Sequence, residues 1–227
     1  MSLLRQVQHM LEGGERATGV NLEHFIVGPI RRAQLCRRAG APALATTAGG
    51  GTFLQPGARE LRLAIYFPDD VISALEAEDP RRSLSERNIS PLITFVEEIA
   101  HAVQAGYLYL KGEREFGSEA ALRNLEAQAK VDTLLVLHGL AAMLTGTPVP
   151  PHVRDWLDDQ VFDGSHRRLP PGTLRERYRE AETLARDFLH LLRQTPLKKR
   201  TSLLSRFRQC DWTEKLGLVA EFQRNFS

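Results

Sequence analysis

The chain has 227 residues, 42% of them hydrophobic and 26% charged, with a formal net charge of +2. That composition is enough for a buried core, and the near-neutral charge excludes a strong pull toward nucleic acid or an anionic membrane surface. Two cysteines, Cys36 and Cys210, lack CxxC spacing and fit a reducing compartment, so a cytoplasmic protein is expected.

Residues 2–12 and 20–39 read as helices separated by Gly13 and Gly14. In the second, Leu22, Phe25, Ile26, Ile30 and Ala33 recur at helical spacing, with Pro29 kinking or dividing it. The early apolar residues are interrupted by Arg5, Gln6, Gln8 and His9, unlike a secretory signal. Between 42 and 67 the texture changes. Residues 43–47 run into Gly49, Gly50 and Gly51, then 52–54, and after Pro56 and Gly57 the stretch 61–67 alternates as a strand does. The reading is a small antiparallel sheet of two or three strands, with the glycine run as a hairpin turn. That run lacks the Lys-Ser/Thr of a phosphate-binding loop.

Beyond Pro68 the pattern is helical. Asp69 or Asp70 caps a helix through about Glu78. Ser90 and Pro91 start another, as N-cap and first helical residue, that continues to about Leu110. A long helix runs from about Ser118 to Leu144, before a breaker cluster with Pro148, Pro150 and Pro151. Helices follow near 151–160 and 171–194, and one or two more near 196–224. The expected division is an N-terminal helical segment (1–41), a core (42–146) and a C-terminal helical region packing on it (147–227). The fold class is α+β, mainly α. No stretch reaches the roughly 18 continuous apolar residues needed to span a bilayer.

The chemistry concentrates in the helix after Pro91, where Glu97, Glu98 and His101 stand among Phe95, Val96, Ile99, Ala100 and Val103. Burying two carboxylates and an imidazole is costly without partners, and a metal ion is one such partner. Glu97 and His101, four residues apart, share a helix face and can ligate one ion, with Glu98 beside them. The next long helix offers Glu126 as a third ligand, with Gly106, Gly112 and Gly117 available for the intervening turn.

Glu97-Glu98-Ile99-Ala100-His101 differs by one residue from His-Glu-x-x-His. Together with Glu126 it resembles the gluzincin branch of the zincin-like metallopeptidases, over residues 42–140. The resemblance implies a small sheet, an active-site helix and a later helix that supplies a glutamate. It makes Glu97, His101 and Glu126 the metal ligands and Glu98 the general base. The implied activity is metal-dependent hydrolysis of a peptide or small-molecule substrate by activated water. Zinc is the family's metal, whereas two carboxylates with one imidazole suit Mn, Fe(II) or Mg better. Two departures stand out: Glu97 replaces a histidine, and Lys130 lies four residues after Glu126, where the family often has an acidic partner. The alternative is a non-catalytic scaffold or interaction protein that retains a degenerate zincin-like core, with Lys130 or Arg123 neutralising Glu97 or Glu126. A ferritin-like di-iron site built on Glu98 and His101 would need a second Glu-x-x-His, and the sequence has none.

In the last region Tyr178, Ala181, Leu184, Ala185, Phe188, Leu191 and Leu192 form an apolar helical stripe. It is expected to cover the cleft, or alternatively to form a homodimer interface, with Arg175, Arg177 and Arg179 in reach of the carboxylates. Lys198, Lys199, Arg200, Arg206 and Arg208 read as a solvated basic face, not a nucleic-acid site.

Overall fold

The structure, a computed structural model, describes residues 1–13, 15–38 and 49–225. Ser2 opens α1 (Leu3–Glu12) by accepting a hydrogen bond from the Arg5 amide at 3.2 Å, and Gly13 closes it in the left-handed region. The helix expected over 20–39 is two shorter pieces. Asn21 caps a 3-10 turn (Leu22–Phe25), and Ile26 then extends to bridge Ile65. Pro29 divides the segment, as one of its two expected effects, and begins α2 (Pro29–Arg38), because its missing N–H costs nothing in a first turn. The strand expected at 43–47 lies outside the described residues.

β1 (Gly51–Pro56) and β2 (Leu61–Tyr66) form an antiparallel pair in which Gly51 faces Tyr66 and Pro56 faces Leu61. The hairpin turn is therefore 57–60, closed by the Gly57 amide donating to the Glu60 carbonyl at 2.8 Å. The run of three glycines leads into β1, and the turn expected there, which would join it to 43–47, falls partly outside the described residues. In α3 (Asp69–Ala77) neither aspartate caps; both lie in the first turn, where the helix dipole favours negative charge.

α4 (Ile89–Leu110) starts before the expected Ser90 cap, with Asn88 at the cap position. Buried Asn88 accepts from the Ser85 amide and donates to the carbonyls of Glu78 and Ser83, which pins the loop into the helix. Ser118 caps α5 (Glu119–Thr145), and Gly146 ends it with φ 64°. Then follow α6 (Pro151–Val161), a 3-10 turn (Ser165–Arg168), α7 (Thr173–Gln194), α8 (Leu197–Gln209) and α9 (Trp212–Asn225).

α4 is buried on most of its circumference, with Leu92, Val96, Ile99, Val103 and Ala105 all shielded from water. The sheet and α3 pack on it, α1 crosses α4 and α5, and α5 lies against both α4 and α7. The predicted stripe of α7 is buried from Ala181 to Leu192 and faces its own chain. The protein is thus mainly helical with a small two-stranded sheet. Among the described residues no helix is long and apolar enough to cross a membrane.

Phe188 of α7 and Phe207 of α8 are fully buried and stacked with ring centroids 3.7 Å apart. Phe188→Ala is expected to cost about 3–5 kcal/mol in denaturant unfolding. A loss below about 1 kcal/mol would contradict this packing.

Candidate functional site

α4 and α5 are joined by a short loop and so run antiparallel. A step of four residues forward along α4 is matched by a step of four backward along α5. The pairs that result are Glu97 with Lys130 and His101 with Glu126. Lys130 Nζ lies 2.5 Å from Glu97 Oε1, and His101 Nε2 lies 3.5 Å from Glu126 Oε2. The four side chains are 13–23% exposed. Lys130 also donates to the Val161 carbonyl at 3.4 Å, at the C-terminal end of α6 where the helix dipole favours a cation. From α7, the Tyr178 hydroxyl hydrogen-bonds to Glu126. Two carboxylates thus meet two cations and a phenol in a site largely shielded from solvent.

Glu98 faces the sheet instead. The Thr52 hydroxyl lies 2.7 Å from Glu98 Oε2 and 2.9 Å from the Glu98 carbonyl. One hydroxyl hydrogen cannot serve both acceptors well. A protonated Glu98 resolves this, since its O–H donates to Thr52 while Thr52 donates to the carbonyl. A Cβ on residue 50 would come 2.6 Å from Glu98 Cγ. Gly50 is therefore required by the close approach of the chain to Glu98, which accounts for part of the glycine run.

The protonation states follow from burial and neighbours. Burial pushes the Glu98 carboxyl up to about 7, against the lowering effect of His101 and Thr52. Burial would lower His101, but the Glu126 carboxylate, with Glu98 and Glu97, outweighs it and raises the imidazole to about 9. Burial likewise opposes ionisation of Glu126, and the His101 charge holds it below its ordinary value. Lys130 is raised, since Glu97 overcomes the effect of burial. Near neutral pH the cluster is an imidazolium and an ammonium matched to Glu97 and Glu126.

Of the four residues that the resemblance points to, His101 and Glu126 come together, Glu97 turns to Lys130, and Glu98 lies on the sheet side. Among the described residues no group of three or more His, Cys, Asp or Glu side chains is placed to hold a metal ion. The donor set does not fit a resident divalent ion, because its carboxylates and imidazole are already engaged with one another and with Lys130. Arg123 pairs with Glu180 at 3.1 Å, not with the cluster. Arg177 pairs with Glu119 and Arg179 with Glu180, so the contribution of α7 is the unexpected Tyr178.

A second polar network carries no sequence motif. Asp132, fully buried, accepts from Arg16 at 2.7 Å, Arg208 at 2.9 Å and Gln128 at 2.9 Å. Arg16 also donates to Gln104 at 3.1 Å. Gln128 accepts from buried Lys215 at 3.0 Å, and burial drives that lysine down to about 7. These residues come from five separate segments. The one sequence trace was Gln128 and Asp132 at helical spacing within a largely apolar stretch of α5.

No family model, no curated protein and no solved structure matches this chain.

Two outcomes are expected. Asp132→Ala leaves Arg16 as an uncompensated buried charge and should cost about 3–5 kcal/mol in denaturant unfolding; a loss under about 1 kcal/mol would refute the network's role. The second concerns pH. His101 is raised from 6.5 to about 9, so its stabilising effect is complete below pH 6.5 and is lost as pH rises through 9. Lys215, depressed from 10.5 to about 7, acts oppositely: its cost is full below 7 and fades toward 10.5. Comparing wild type with His101→Gln separates the two. The wild-type advantage in unfolding free energy should shrink between about pH 6.5 and pH 9. A difference that stays constant across that window would contradict the assignment.

Proposed function

We propose that this chain is a non-catalytic interaction or scaffold protein with a degenerate zincin-like centre, in which Lys130 takes the place of a metal cation. The observation that carries the reading is the 2.5 Å contact between Lys130 Nζ and Glu97 Oε1. A divalent ion at Glu97, His101 and Glu126 would have to displace that ammonium and also remove the His101 proton. The imidazole proton, held by the neighbouring carboxylates, competes with an ion for the same nitrogen. Cys36 and Cys210 are both free, which supports a reducing, cytoplasmic setting. The near-neutral charge favours a protein partner over nucleic acid.

A second reading, a peptidase-like hydrolase with Glu98 as base, has one specific observation in its favour. A carboxyl at about 7 is suited to taking and returning a proton.

The experiment is metal analysis after equilibration with zinc or manganese and removal of free ion. Wild type should retain well under one equivalent. Lys130→Ala, which frees Glu97, should retain more, and adding His101→Ala should abolish the gain. One equivalent in wild type that disappears in Glu97→Ala and His101→Ala would overturn the proposal. So would hydrolysis of a casein or peptide substrate by wild type that is lost in Glu98→Gln.

A further inference from the structure

Away from the Glu97–Lys130 centre, a cavity of about 340 Å³ opens where α5, α6, α7 and α8 meet the segment after α1. Its volume lies in the range of small-molecule sites. Leucines of α5, α7 and α8 contribute an apolar lining, and four arginines, Arg154, Arg193, Arg200 and Arg208, also line it. Glu15 is the one acidic lining residue among those described.

The four guanidinium groups are not equivalent. Arg193 is matched by Asp158 at 2.6 Å and Arg208 by Asp132 at 2.9 Å. Arg200 donates to the carbonyls of Thr195 at 2.8 Å and Arg193 at 2.7 Å. Those bonds hold the side chain without neutralising it. Neither Arg154 nor Arg200 has a carboxylate partner among the described residues. Two guanidinium groups without a carboxylate partner thus line one cavity, with Arg200 held in place for an oxyanion and Arg154 exposed beside it.

His138 of α5 adds a neutral donor. Its Nε2 is buried with no hydrogen-bond partner, and the near carboxylate oxygen, Asp158 Oδ1, is 3.8 Å away. Burial, with the charges of Arg193 and Arg154 and against that of Asp158, lowers the imidazole to about 4, so the ring is uncharged at neutral pH. Unmatched cations, an unsatisfied ring nitrogen and an apolar lining together describe a ligand with a charged end and a greasy one.

We propose that this cavity binds a small organic oxyanion, a phosphate or carboxylate carried on an apolar body, with Arg154 and Arg200 contacting the charge and His138 donating a hydrogen bond. This site is independent of the reading given for the Glu97–Lys130 centre. The test is titration of the full chain with phenyl phosphate, benzoate and inorganic phosphate, followed by calorimetry and by the His138 ring resonances. Phenyl phosphate or benzoate should bind saturably with one site per chain, about tenfold or more tighter than inorganic phosphate, and shift the His138 signals. Arg154→Gln, a side chain with no carboxylate partner among the described residues, and Arg200→Gln should each weaken binding by about tenfold. The phosphate and carboxylate arms show which head group is preferred. No saturable binding by about 10 mM, equal affinity for inorganic phosphate, or binding unchanged in Arg154→Gln would overturn the proposal.

Discussion

Four ionisable side chains lie between α4 and α5, and their mutual neutralisation is the condition on which that helix pair rests. Removing a single charge from water costs several kcal/mol, even after the protein relaxes around it. The antiparallel register meets this cost twice, with Glu97 against Lys130 and His101 against Glu126. Neither pair stands alone. The end of α6 supports Lys130 through the Val161 carbonyl, and α7 supports Glu126 through Tyr178. The cluster therefore ties four helices together. Loss of one partner would strand its opposite charge at the point where all four meet.

The same logic explains why Glu98 stays apart. It has no cation of its own, and burial keeps it protonated up to about pH 7. A protonated carboxyl donates to Thr52, which leaves the Thr52 hydroxyl free to donate to the Glu98 carbonyl, and Gly50 leaves it room. Asp132 shows the opposite solution: two guanidinium groups and an amide surround one carboxylate, and the adjoining Lys215 is pushed toward neutrality. The protein thus handles its buried acids in three ways: Glu97 and Glu126 by pairing, Glu98 by protonation and Asp132 by surplus positive charge. The unmatched arginines of the cavity beside α8 are the place where this matching is incomplete.

Much of this was legible in the residues. The helices near 89–110, 119–145 and 173–194 follow from sustained apolar periodicity, and Ser118 and Gly146 mark the ends of the middle one. The concentration of polar chemistry at Glu97, Glu98 and His101 also followed from helical spacing, whereas Glu126 entered only as a third metal ligand on the next helix, and its partner in the structure is His101. Lys130 was visible both as a departure from the family pattern and, with Arg123, as a candidate to neutralise Glu97 or Glu126; it pairs with Glu97, and Arg123 does not join the cluster. What was not legible depends on contacts between distant segments. Nothing local in Arg16 reveals that it meets Asp132, and nothing in the glycine run reveals that Gly50 lies against Glu98. The position of the α4 cap likewise depended on Asn88 bonding back to the loop from Glu78, which outweighed the local signal of Ser90 and Pro91.

The central claim is that His101 is an imidazolium held by Glu126, as Lys130 is held by Glu97. The most direct measurement is an NMR titration of the His101 ring in the folded protein. The account predicts a midpoint near 9 that falls sharply in Glu126→Gln. A midpoint at or below the ordinary 6.5, unchanged by that substitution, would contradict it.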